Sequence, residues 1–146
     1  MQKTKKPEKI VEAECLTWLN INGFSADIVD STATYSKTAG RYLASMAPVG
    51  FTDIVATDPF GRACYIELKA KGKRNNVSVG QYVFMMAKID KYAFAVVVDS
   101  ASSLEYYYKA YCQYIKVSDF KGSQIYLREI MPTNSMIADL NRPFDL

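Results

Sequence analysis

The sequence predicts a single α/β (α+β mixed) domain, a central mixed β-sheet with flanking helices. Three observations carry that expectation: helical apolar spacing before and after a hairpin signal, two apolar runs joined by a turn-forming tetrapeptide, and a nearly continuous apolar run over residues 92–98. At 146 residues, 49% apolar and 23% charged, the chain has room for one domain and the means to build its core.

Each element follows in order. Residues 8–22 place Ile10, Val11, Cys15, Leu16, Trp18, Leu19 and Ile21 at mixed three and four spacings, with Pro7 in front and Gly23 behind, which predicts a helix. Residues 26–29 fit a short strand. Residues 31–46, rich in Ser, Thr and Tyr with Lys37 and Arg41 as the cations, read as a long mobile connection. Residues 51–57 and 63–69 predict a hairpin across Asp58, Pro59, Phe60 and Gly61. Lys69, Lys71, Lys73 and Arg74 lead into a loop closed by Asn75 and Asn76, and Ser78 is placed to cap a second helix over residues 81–91. Residues 92–98 have the composition of a buried central strand. Beyond it, residues 102–111 predict a short helix, 114–117 and 124–130 two further strands, and the segment from Pro132 a weaker tail.

Composition narrows the chemistry. Lys plus Arg number 18 against 15 Asp plus Glu, a net +3, so any anion binding has to be local. Histidine is absent, which excludes histidine general bases, Cys/His zinc sites and Ser-His-Asp triads. Three widely spaced cysteines, Cys15, Cys64 and Cys112, and a basic start with no apolar run behind it predict a reducing, cytoplasmic setting. No apolar stretch reaches roughly 18 residues, so no membrane span is expected.

Carboxylates and an amine remain. The hairpin returns Glu67 and Lys69 to the end at which Asp53 starts, and their spacing of two puts Glu67 and Lys69 on one strand face. Adjacent carboxylates resist joint ionisation, and a hard divalent cation such as Mg2+, or Mn2+ in its place, prefers oxygen ligands. Such an ion polarises a phosphoryl oxygen and acidifies a water, while a lysine stabilises the developing charge. That chemistry is phosphodiester hydrolysis without histidine. The competing reading makes Asp53 a solvent-facing strand residue and Glu67 with Lys69 a surface ion pair contributing about 0–1 kcal/mol.

The ordered set Gly40-Arg41-Tyr42, Gly50-Phe51-Thr52-Asp53-Ile54, Gly61-Arg62, Tyr65-Ile66-Glu67-Leu68-Lys69-Ala70 and Ser78-Val79-Gly80-Gln81 resembles the PD-(D/E)XK nuclease superfamily. Within it, the set is most similar to the VRR-NUC type found in phage proteins and in a eukaryotic Fanconi-associated structure-specific nuclease. The resemblance covers residues 8–100 and implies a restriction-endonuclease-like core. It implies Asp53 and Glu67 as metal ligands with the Leu68 carbonyl beside them, Lys69 as the catalytic lysine, and Gln81 near the metal or the scissile phosphate. Glu8 would be the first-helix acid and Glu12, one turn later, the second choice. The implied activity is Mg2+-dependent, structure-specific DNA cleavage with four-way junctions among the substrates, by a homodimer, in a bacterial host cytoplasm if the source is a phage or mobile element.

Two departures stand out. Thr52 replaces the proline common before the hairpin aspartate, and residues 101–146 form an extension that packs on the core or makes a dimer interface. Its tyrosines at 106, 107, 108, 111 and 114 complete a core, stack on unpaired bases or line a dimer surface. Lys71, Lys73 and Arg74, and with less support Lys37 and Arg41, form a phosphate clamp or remain solvated cations. The rival functional classes are a non-cleaving nucleic-acid-binding or assembly protein on the same fold, and an unrelated α/β scaffold.

Overall fold

The computed structural model describes residues 6–29, 34–36, 38, 40–43 and 50–140. Within them the chain runs α1 (Pro7–Ile21), β1 (Ser25–Ile28), β2 (Thr34–Ser36), β3 (Arg41–Leu43), β4 (Ile54–Thr57), β5 (Ala63–Leu68), α2 (Val79–Asp90), β6 (Phe94–Val98), α3 (Ala101–Lys116), α4 (Phe120–Glu129) and α5 (Ser135–Leu140). Four strands form a mixed sheet in the order β1-β4-β5-β6, while β2 and β3 pair separately. β1 with β4 and β4 with β5 are antiparallel; β5 with β6 is parallel, with Glu67 opposite Val97. The predicted mixed sheet with flanking helices is what the chain builds. No helix among the described residues is long and apolar enough to cross a membrane.

Alternation along β5 sorts its side chains. Cys64 and Ile66 share a face with Phe94, whose ring packs on Tyr108 and Tyr111 of α3 at 5.4 and 5.1 Å. Tyr65 and Glu67 project to the other face, where the Tyr65 ring meets Phe84 of α2 at 5.8 Å. β6 is buried throughout, as expected for a strand covered on both faces.

The turn between β4 and β5 is held by Asp58. Its Oδ1 accepts the main-chain N–H groups of Phe60 and Arg62 at 3.0 and 2.8 Å; its Oδ2 accepts Arg62 Nε and the Tyr108 hydroxyl, each at 2.9 Å. A buried carboxylate is tolerated there because four donors answer it.

Three expectations are corrected. Residues 31–46 contain a small hairpin, with Tyr35 opposite Tyr42. Residues 114–117 are the last turn and C-cap of α3, and residues 124–130 lie in α4 and its cap, so neither is a strand. Tyr, Ile and Val there favour strands locally, yet Leu104, Tyr108 and Tyr111 bury one helical stripe that Ile115 continues, and tertiary burial overrides the local preference. The tail carries α5, whose Ile137 is buried.

The strand expected to be both buried and central is buried but not central: β6 ends the sheet order among the described residues, and its outer side is closed by the Arg74 side chain. Val98 O faces β5, where it accepts from Lys69 N, so the preceding carbonyl, Val97 O, points outward. Arg74 Nε donates to Val97 O at 2.7 Å, and Arg74 Nη2 donates to Ile130 O at the end of α4. The guanidinium also lies over the Tyr107 ring at 5.0 Å. Arg74→Met should lower the unfolding free energy by about 2–4 kcal/mol, because charge-assisted hydrogen bonds contribute about 1.5–3 kcal/mol each. Arg74→Lys, lacking the planar fork, should recover only part of it in urea denaturation. An unchanged midpoint would mean that water serves both carbonyls equally well.

Candidate active site

The site forms where the hairpin, the loop before it and the start of α2 meet. Ile54 pairs with Ile66, so continuing the register by one residue sets Asp53 opposite Glu67. Asp53 is fixed twice: its carbonyl accepts from Val29 N and its Oδ2 from Leu68 N, both at 2.8 Å. Glu67 is only 2% exposed.

Gln81 joins this pair to the helix cap. Ser78 and Gln81 form a reciprocal capping box, in which Gln81 N donates to Ser78 Oγ and Ser78 N to Gln81 Oε1, each at 3.1 Å. The same Gln81 Oε1 accepts from Lys69 Nζ at 3.1 Å, and Gln81 Nε2 donates to Glu67 Oε1 at 2.9 Å. Lys69 Nζ stands 3.7 Å from Glu67 Oε1 and its side chain is 13% exposed. One amide thus orients an ammonium and a carboxyl at once.

The other oxygen of Glu67, Oε2, is buried and has no hydrogen-bond partner among the described residues. Burial, foremost, then the charge and hydrogen bonding of Asp53 push the Glu67 carboxyl up to about 9; Lys69 opposes the rise and Glu8 adds to it. Thiols offer no alternative chemistry in the core: burial first, and the Glu14 charge second, push Cys15 up to about 12, and burial drives Cys64 higher still.

The loop carrying Asp53 is locked to α2. Gly50 has φ +81, and a Cβ on it would lie 2.3 Å from Gly80 O, so the main chains touch where only glycine fits. Next to it, Phe51 packs on Phe84 and Tyr65 at 4.7 and 6.5 Å, and Lys88 Nζ lies 5.0 Å from the rings of Tyr65 and Phe84.

Of the residues singled out from the sequence, Asp53, Glu67, the Leu68 main chain, Lys69 and Gln81 come together. Glu8, exposed in the first turn of α1, lends its charge to the Glu67 environment, while Glu12 pairs with Lys9 at 3.2 Å. Lys71 and Lys73 are exposed on the loop after β5, whereas Arg74 is turned inward on carbonyls. Arg41 lies in β3, and Lys37 lies outside the described residues. The contact role of Gly50 and the four-donor role of Asp58 were missed; a glycine three positions before Asp53 was the available signal for the first.

Among the described residues no group of three or more Asp, Glu, Cys or His side chains forms a metal site. The donors at hand are two carboxylates, one with an unanswered oxygen, and the adjoining main chain. An all-oxygen set of that size fits Mg2+, which keeps several waters and takes one or two protein carboxylates. No family model, curated protein or solved structure matches this chain.

Two outcomes follow. Between pH 4.5 and about 9 the unfolded chain has released the Glu67 proton that the folded chain retains, so this group's effect on stability worsens as pH rises through that window. Melting in EDTA should show Glu67→Gln level with wild type near pH 4 and increasingly more stable toward pH 9, with a slope approaching about 1.4 kcal/mol per pH unit. A gap that ignores pH would refute the buried-acid reading. Gly50→Ala should cost about 1–3 kcal/mol and speed hydrogen exchange at the Leu68 amide, since displacing the loop withdraws Asp53 from it. Full protection of that amide would show that the contact does not position Asp53.

Proposed function

We propose that this chain is a metal-dependent, structure-specific DNA endonuclease of the PD-(D/E)XK type, closest in pattern to VRR-NUC nucleases, built on a restriction-endonuclease-like core. The observation that carries the reading is the unanswered, buried Glu67 Oε2 beside Asp53, with Lys69 and Gln81 arranged on the other oxygen. A core that satisfies Asp58 with four donors has no structural use for a second buried acid left short of one.

Asp53, Glu67 and the main-chain carbonyl of Leu68 would hold Mg2+, or Mn2+ in its place, with Glu8 adding negative charge from α1. The bound ion would supply Lewis-acid polarisation of a phosphoryl oxygen and a more acidic water. Lys69, held by Gln81 Oε1 and drawn toward Glu67, offers a preorganised positive charge to the oxygens of the transferring phosphate. Gln81 keeps that ammonium in place without neutralising it. Because Gln81 is also half of the α2 capping box, the geometry of the lysine is tied to the start of a helix and not to a free rotamer. Lys71 and Lys73 would meet flanking backbone phosphates, with Arg41 and Lys37 as further contacts. Resolution of a four-way junction would take two such centres, hence a homodimer with a symmetric interface.

Cleavage of a labelled panel containing a four-way junction, a flap, a linear duplex and a single strand tests this with Mg2+, Mn2+ or EDTA. Wild type should cut a branched substrate only with metal, Glu67→Ala should not cut, and Lys69→Ala should lose at least about 100-fold in rate while binding within a few fold of wild type. Equal loss of binding and cutting in the Lys69 variant would overturn its catalytic role. Tight junction binding with no cutting by wild type would instead indicate a non-cleaving binding protein.

A further inference from the structure

Gln81 serves three partners, and an amide can serve them in only one of its two orientations. Its Oε1 accepts from Ser78 N and Lys69 Nζ, and its Nε2 donates to Glu67 Oε1. Turned over, it would set its NH2 group against two donors and its oxygen against a carboxyl oxygen. The three partners do not hold it equally. Lys69 is carried on a flexible stem, and a carboxyl such as Glu67 exchanges acceptor for donor when it takes a proton. The Ser78 N–H is a donor in every state, and the main chain fixes it.

That N–H belongs to the Val77–Ser78 peptide, a trans unit whose carbonyl points the opposite way. Burial of the Val77 side chain fixes its Cα but leaves the peptide plane able to rock between neighbouring Cα atoms. The carbonyl end is held from far along the chain. Asn134 Nδ2 donates to Val77 O at 2.8 Å and to Asn75 O at 3.1 Å, and Asn75 O also accepts from Val77 N at 2.9 Å. Asn134 is fixed in turn: its Oδ1 accepts from Ile137 N at 3.1 Å at the start of α5, where Ile137 is buried. The two ends of this amide therefore do different work. The oxygen starts α5, and the NH2 group ties down the loop before α2.

We propose that Asn134, which lies beyond residues 8–100, is a positioning residue for the candidate site. By holding the carbonyl end of the Val77–Ser78 peptide it aims the N–H that orients Gln81, and through Gln81 the Lys69 ammonium and the Glu67 carboxyl. The assignment rests on the nuclease reading for the reaction it serves, and gives the segment after α4 a part in that reaction without contact with the substrate.

Asn134→Asp separates the two tasks, because it keeps an oxygen to cap α5 and replaces the donor by an acceptor facing two carbonyls. With Mg2+ and a branched substrate it should lower kcat about 10–100-fold while KM and DNA binding stay close to wild type. In a Gln81→Met background, which keeps the side-chain length without the amide, the same change should cost less than about twofold, since the two residues act as one unit. An equal loss in both backgrounds, or a loss confined to KM, overturns the assignment. NMR in EDTA without DNA reads the hydrogen-bond chain directly. Asn134→Asp should speed hydrogen exchange at the Ser78 amide about fivefold or more and move the Gln81 side-chain amide resonances, with the Ile137 amide unchanged. Unaltered Ser78 and Gln81 signals refute the chain whatever cleavage shows; loss of protection at Ile137 alone makes Asn134 no more than a helix cap. If wild type cuts no substrate, the nuclease reading falls, and the NMR result alone decides whether Asn134 orients Gln81.

Discussion

A carboxyl group buried near the C-terminal end of the central strand is the constraint to which the neighbouring structure answers. Moving an ionised carboxylate out of water is costly unless it is paired and hydrogen-bonded, and Glu67 on β5 has a donor on only one oxygen. The hairpin register sets Asp53 opposite it, the capping box of α2 delivers Gln81 to it, and the alternation of β5 returns Lys69 to the same face. Even the contact of Gly50 with Gly80 serves this arrangement, since it holds the loop bearing Asp53 against the helix bearing Gln81. Each device is ordinary by itself. Their convergence on one acid separates the site from a charged strand face.

The hairpin carries a second buried acid at its other end, and the contrast is instructive. Asp58 receives two main-chain N–H groups, a guanidinium and a phenol, so its charge is answered entirely from within the protein. The task it performs is structural: it closes the turn and ties it to α3. Glu67 faces another carboxylate and keeps an oxygen without a donor, an arrangement that relaxes only by taking up a proton or a cation. Equal burial with unequal satisfaction separates an acid whose charge the fold answers from one whose charge it leaves open.

Much of this was legible in the sequence because the signals were local. The turn tetrapeptide with Gly61, the alternating runs around it, and Ser78 followed three residues later by Gln81 each encode their geometry within a few positions. The juxtaposition of Asp53 with Glu67 and Lys69 then follows from hairpin pairing alone. What escaped depends on distant partners. Tyr114, Ile115 and Val117 favour a strand by type, and only the buried stripe of α3 against β6 makes them helical or helix-capping. Arg74 looked like one more cation of a basic loop, because nothing local shows that its acceptors are the carbonyls of Val97 and Ile130.

That basic loop also shows how one short segment can serve both fold and site. After β5 the chain must leave the sheet and reach α2 without blocking the end at which ligands meet parallel strands. Alternate residues divide the work. Gly72 N is held by Asp99 at the end of β6, and Arg74 reaches the outward carbonyl of Val97, so both inward positions bind the loop to the edge strand. Lys71 and Lys73 are thereby left exposed, on a main chain stiffened on either side. Removing the inward contacts would loosen the main chain that carries Lys71 and Lys73, which couples closure of the sheet edge by α3 and α4 to the presentation of positive charge after β5.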